Sequence, residues 1–297
     1  MRKMRSMIFC IVLLFLLGGC GAGEKESVPE DVLIDDLGHR ESFADAPERL
    51  VSLIPGVTEM VVALGDMKKI VGVTIYDDLP EVKQRVKERK ITVVGMALDP
   101  PVEKIAALNP DVVLMNGKSH NRAAEKLRQL KIKTFSFDPN TLDGLLKDFT
   151  KLGKILGREK EAKAFQKKFA ERAAYYKAKR KPRKVRVYME MWDNPLMSIG
   201  KGSLEHELIA LCGGENIFSD IPQNVFTPNE ESVLSRNPEV ILIVREKVFP
   251  YNKVTSRKAW KSVKAVRTNN IHEIHTRLLR RGPAILEGLE TICKILN

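Results

Sequence analysis

Apolar residues recur along the chain in short unbroken runs, and the stretches between the runs carry helical spacing. Residues 49–53, 70–73, 112–115 and 134–137 predict strands, and residues 58–64, 102–108 and 123–130 predict helices. Gly65 suits the C-terminal end of the first helix. Strands that are apolar throughout, alternating with amphipathic helices, are the pattern of a parallel sheet covered on both faces. From residue 142 the pattern changes. Residues 142–156 and 159–179 both read as helices with Gly157 between them, and Lys181-Pro182-Arg183 closes the second. That helix would run about 30 Å at about 1.5 Å per residue. The alternation then resumes: strands at 185–189, 240–244 and 271–274, and helices at 204–211, 230–235 and 283–296.

One segment occurs twice, as DPPVEKIAALNPDVVLM from Asp99 and as TPNEESVLSRNPEVILIV from Thr227. Each copy predicts an N-cap (Asp99, Thr227) followed by proline at the first helical position (Pro100, Pro228). Each sets a glutamate one turn in (Glu103, Glu231). Each stops at Asn-Pro plus an acid (Asn109-Pro110-Asp111, Asn237-Pro238-Glu239) and enters an apolar strand. Caps alone do not require glutamate at the same distance from proline, so the copies point to two related lobes. The layout is α/β: two lobes with central parallel sheets joined by one long rigid helix. The expected segments are 32–157, 158–181 and 182–297.

The N-terminal segment places the chain in a compartment. Arg2, Lys3 and Arg5 precede an apolar run at 7–17 and then Gly18-Gly19-Cys20. A charged start, a short apolar stretch and small residues describe a secretory signal over 1–19. The string LLGGC resembles the bacterial lipobox, in which Cys20 becomes the acylated N-terminus. Acyl chains at about 0.8 kcal/mol per buried methylene hold such a protein on a bilayer. Residues 20–31 read as a polar, flexible tether. The expectation is an exported, lipid-anchored protein at the periplasmic or extracellular face.

Of the net charge of +12, the signal contributes three, leaving about +9. Much of it recurs around the helices between 151 and 184 and reads as a solvated face, so no nucleic-acid partner is expected. With Cys10 in the signal and Cys20 at the anchor, Cys212 and Cys293 remain, and two thiols in an exported protein can form a disulfide. Neither has a second cysteine or histidine at metal-ligand spacing.

With these motifs in view, the chain resembles the periplasmic binding proteins with a helical backbone, which bind cobalamin, ferric siderophores or haem. RLVSLIPGVTEMVVALG, from Arg49, looks like their opening strand, loop and helix, and RRGPAILEGLETICKIL like their closing helix. SIGKGSLEHELIALCGGENIF, from Ser198, resembles the cobalamin-binding members, as does pairing of Cys212 with Cys293. The resemblance implies a monomer that captures a corrinoid, or alternatively haem or a ferric siderophore, and hands it to an ABC permease. It implies no resident cofactor. It implies that Glu103 and Glu231 meet arginines of the permease. By position it assigns the cleft to Pro55, Tyr76, Met96, Asn116, Trp192, Phe226 and Arg245, with Asn116 where an aromatic could stack and Ala284 where many members carry arginine.

Other chemistries lack their motifs. There is no Gly-x-Ser-x-Gly elbow, phosphate loop or HExxH string. His272 and His275, three apart on an expected strand, fall on opposite faces, which is poor for chelation. Neither an enzyme nor a metal site is expected.

Overall fold

A computed structural model of the chain describes residue 29 and residues 31–245 and 254–297. The expected signal 1–19, Cys20 and nearly all of the tether lie outside the described residues.

The first lobe opens on a hairpin of β1 (Val32–Ile34) and β2 (Arg40–Ser42). There follow β3 (Leu50–Ser52), α1 (Pro55–Ala63), β4 (Ile70–Thr74), α2 (Pro80–Lys87), β5 (Thr92–Gly95), α3 (Val102–Ala106), β6 (Val112–Asn116), α4 (Asn121–Gln129) and β7 (Lys133–Phe137). The strands lie in the order β5-β4-β3-β6-β7 and every neighbouring pair is parallel. All their C-terminal ends therefore share one edge. The chain winds one way from β3 through β4 to β5 and the other way from β6 to β7. The switch point lies between β3 and β6, where open α/β sheets place their ligands.

Two helices lead out of this lobe. In α5 (Leu142–Leu156) Thr141 caps the start by accepting from Gly144 N at 3.0 Å, and Gly157 ends it in the left-handed region at φ +67°. The 20-residue α6 (Glu159–Ala178) follows. Phe165 of α6 stacks on Phe149 of α5 at 4.0 Å, and Arg172 donates to Glu290 near the C-terminus at 2.7 Å.

The second lobe contains β8 (Val185–Asp193), β9 (Leu196–Ile199), α7 (Leu204–Leu211), β10 (Gly214–Asn216), β11 (Val225–Phe226), α8 (Glu230–Arg236), β12 (Val240–Arg245), α9 (Lys264–Arg267), β13 (Ile271–His275) and α10 (Ile285–Leu296). Its order is β11-β9-β8-β12-β13, with β10 also on β8. This sheet is mixed rather than wholly parallel: β9 runs antiparallel to both of its neighbours, β8 and β11. The cause is the two-residue Asn194-Pro195 connection, which allows a hairpin but is far too short for a parallel crossover. A disulfide joins Cys212, at the end of α7, to Cys293 of α10. A disulfide of this kind typically contributes about 2–4 kcal/mol.

The repeated segments adopt matching geometry. Asn109 and Asn237 both take left-handed backbone, at φ +46° and +41°. Asp111 accepts from the amides of Glu48 and Arg49, each at 2.8 Å, which fixes the start of β3. Glu239 accepts from Arg186 N at 3.2 Å and does the same for β8. The expected caps need correction. Both helices start later, at Val102 and Glu230, with Pro101 and Asn229 in the capping positions. A residue before proline is driven to extended backbone, so Pro101 keeps Pro100 out of the helix in the first copy. Asn229 then supplies the cap by accepting from Ser232 N at 2.8 Å. Glu103 and Glu231 keep equivalent places, each the second helical residue, and both are exposed.

Candidate ligand-binding cleft

The shared edge of the first sheet divides into two kinds of surface. At the exits of β4 and β5 large apolar side chains stand in solvent: Ile75 is 55% exposed, Tyr76 45%, Met96 52% and Leu98 75%. A core has no use for them there, and side chains of this kind offer a flat apolar face to a ligand. The backbone beneath is braced. Asp77 accepts from Thr74 through both its amide, at 2.9 Å, and its hydroxyl, at 2.7 Å. Buried His120 accepts from Asn116 N at Nδ1 (2.9 Å), which leaves Nε2 to donate to Ala97 O at 2.5 Å. Burial holds its pKa below the usual histidine range, so the neutral ring this bridge needs is the favoured form. His120 thereby ties the loop of Met96 and Leu98 to the end of β6.

At the exits of β3, β6 and β7 the edge is recessed. A cavity of about 250 Å³ has an apolar floor of Ile54, Val57, Met60 and Phe137 and a polar rim of Asn116, Asp138, Asn140 and Arg281. This is the switch point. Arg281 reaches it from the second lobe, at a seam where the backbones nearly touch: a Cβ on Gly56 would lie 2.5 Å from Arg281 O. Charged groups hold the seam. Arg280 donates to Glu59 at 3.0 Å and to both oxygens of Asp78 at 2.5 and 3.0 Å. Arg281 donates to Pro139 O at 3.4 Å and to the buried Glu205 at 3.2 Å. Asn224 donates to Asn140 at 2.6 Å, and Leu142 N to Glu207 at 2.7 Å.

Among the described residues the second lobe contributes fewer open side chains. Trp192, near the end of β8, is 36% exposed and donates through Nε1 to Asn194 O at 2.8 Å. Arg245, at the end of β12, is ion-paired with Glu273 of β13. Phe226 is partly buried against the lobe's core and lies edge-on to Phe218 at 5.0 Å.

Of the residues assigned by resemblance, Asn116 lines the recess. Tyr76 and Met96 stand on the apolar edge, Pro55 begins α1, and Trp192, Phe226 and Arg245 lie at strand ends of the other lobe. Sequence reasoning missed Ile75, Leu98, Asp138, Asn140 and Arg281. A usable signal existed for Asp138 and Asn140, which directly follow a buried strand at its C-terminal end. Among the described residues no group of three His, Cys, Asp or Glu side chains is placed to hold a metal.

Two α/β lobes on a long helix, with an apolar edge and a polar recess where their strands end, define a two-lobed solute-binding protein. Residues 50–278 match the periplasmic binding protein model, and the chain belongs to that family. Its members bind substrates and are not enzymes. An uncharacterized ABC transporter substrate-binding lipoprotein of Bacillus subtilis (strain 168), YvrC, is 28% identical over 98% of this chain and 97% of its own. The vitamin B12-binding protein of Yersinia pestis (strain Pestoides F) is 31% identical over 67% of this chain and 70% of its own. The crystal structure of the periplasmic vitamin B12 binding protein BtuF of Vibrio cholerae superposes with a TM-score of 0.70, covering 84% of this chain and 96% of that one at 24% identity.

Proposed function

We propose that this protein is the extracytoplasmic substrate-binding component of an ABC importer, anchored through acylated Cys20, and that as a monomer it carries a corrinoid to its permease. The corrinoid is cargo; no resident cofactor is needed. The observation that carries the reading is the sheet edge itself. A wide apolar surface of Ile75, Tyr76, Met96 and Leu98 adjoins a polar recess, which suits a large flat ligand with polar arms. The B12-binding relatives support the same class.

Delivery uses Glu103 and Glu231. They occupy equivalent exposed positions, one per lobe, and neither has an ion-pair partner among the described residues. Their carboxylates are available for charge-assisted bonds to arginine. Reversing both to lysine turns each attraction into a like-charge clash that costs several kcal/mol in docking. Cellular uptake of labelled corrinoid is expected to fall at least about tenfold, which needs only about 1.4 kcal/mol. Affinity of the purified variant for the ligand stays near wild type. Lost ligand binding with normal permease association would place these glutamates in the cleft and defeat the docking reading.

A further inference from the structure

We propose that the recess at the exits of β3, β6 and β7 is a subsite for a carboxamide-bearing arm of the ligand and discriminates against a carboxylate arm. The inference rests on the corrinoid reading and adds to it which chemistry the cleft selects. Size comes first. At about 250 Å³ the recess falls below the roughly 300–1,000 Å³ of pockets that enclose a whole small-molecule ligand. It takes an arm and leaves the ring system to the apolar edge beside it. Its floor of Ile54, Val57, Met60 and Phe137 suits the methylenes of such an arm.

Hydrogen-bond chemistry comes next. The Asn116 amide nitrogen makes only long contacts, 3.5 Å to Phe137 O and 3.4 Å to Asp138 Oδ1, and its oxygen accepts from no described residue. It can exchange both for better ones. Asp138 accepts on the rim. A primary amide both donates and accepts, so it can satisfy Asp138 and Asn116 together. A carboxylate only accepts, and it would face the Asp138 charge with nothing to donate.

Charge decides between the two. Among the described residues that line the rim Arg281 is the one cation, and buried Glu205 already neutralises it at 3.2 Å. Asp138, Arg281 and Glu205 together leave one negative charge at the mouth. An anionic arm meets net repulsion there and a neutral amide does not.

The test compares cyanocobalamin with its monocarboxylate isomers, in each of which one amide arm has been hydrolysed to an acid. Dissociation constants are measured by calorimetry at pH 8 for wild type and for Asp138→Asn, with folding of both checked by thermal unfolding. Wild type is expected to bind at least one isomer about tenfold more weakly than the parent amide, and Asp138→Asn is expected to narrow that ratio. Isomers that all bind like the parent, or a ratio unchanged in Asp138→Asn, overturn the subsite while the corrinoid reading stands. Failure of cyanocobalamin to bind at all overturns both.

Discussion

Replacing Arg257 with alanine is expected to destabilise the protein by about 3–5 kcal/mol. Glu190 of β8 is 1% exposed and receives both arms of the Arg257 guanidinium, at 2.6 and 2.9 Å. Tyr188 OH donates to the same carboxylate at 3.3 Å. Burial pushes the Glu190 pKa up, and the hydrogen bonds and charge of Arg257 pull it back. Without the guanidinium the carboxylate is left buried and uncompensated. The face of Trp260, fully buried, also loses the cation 4.5 Å above it. Lysine at 257 restores the charge but not the two-point fork, so it should recover only part of the loss. Chemical denaturation of the two variants measures this directly, and a cost below about 1 kcal/mol for Arg257→Ala would refute the account. The pair matters for binding because Glu190 lies two residues before Trp192, so a loosened β8 moves an expected cleft residue.

Raising the pH is expected to weaken the fold through Asp148. This α5 residue is 1% exposed, and its Oδ2 has no hydrogen-bond partner. Burial first, and the neighbouring Asp36 charge second, push its pKa from an ordinary 3.8 to about 7, against the pull of Lys151 at 3.5 Å. Because the folded-state value lies above the unfolded one, the group favours folding most at low pH. That contribution fades as pH rises from about 4 to about 7. Between pH 5.5 and 8.0 the loss comes to about 2 kcal/mol, at about 1.36 kcal/mol per pH unit. Asp148→Asn has nothing to titrate and should flatten the profile by that amount. Urea unfolding at the two pH values decides it. Identical pH dependence in wild type and variant would contradict the assignment.

What the sequence discloses follows from how local each interaction is. Strands buried on both faces are apolar along most of their length, so β3, β4, β6 and β12 stand out as runs. Helix α2 buries only Val82 and leaves almost no periodic trace. The antiparallel β9 depends on a hairpin whose signal is one Asn-Pro pair, and the expectation of a wholly parallel sheet missed it. The paired glutamates Glu103 and Glu231 are visible because the segment repeats, although the capping positions fall at Pro101 and Asn229 rather than at Asp99 and Thr227. The apolar edge was half legible through Tyr76 and Met96. The recess was legible only at Asn116. Arg281 is brought there by the packing of Gly282 on Gly56, a contact between distant parts of the chain that no local pattern encodes.

The central claim is capture of a corrinoid without chemical change, and native mass spectrometry of the purified protein tests it most directly. Offered cyanocobalamin, haemin and a ferric siderophore in competition, the protein should hold one cyanocobalamin per chain and release it intact. Tyr76→Ala and Trp192→Ala should each lower the bound fraction. Stoichiometric haem or siderophore with no cyanocobalamin bound would contradict the corrinoid assignment.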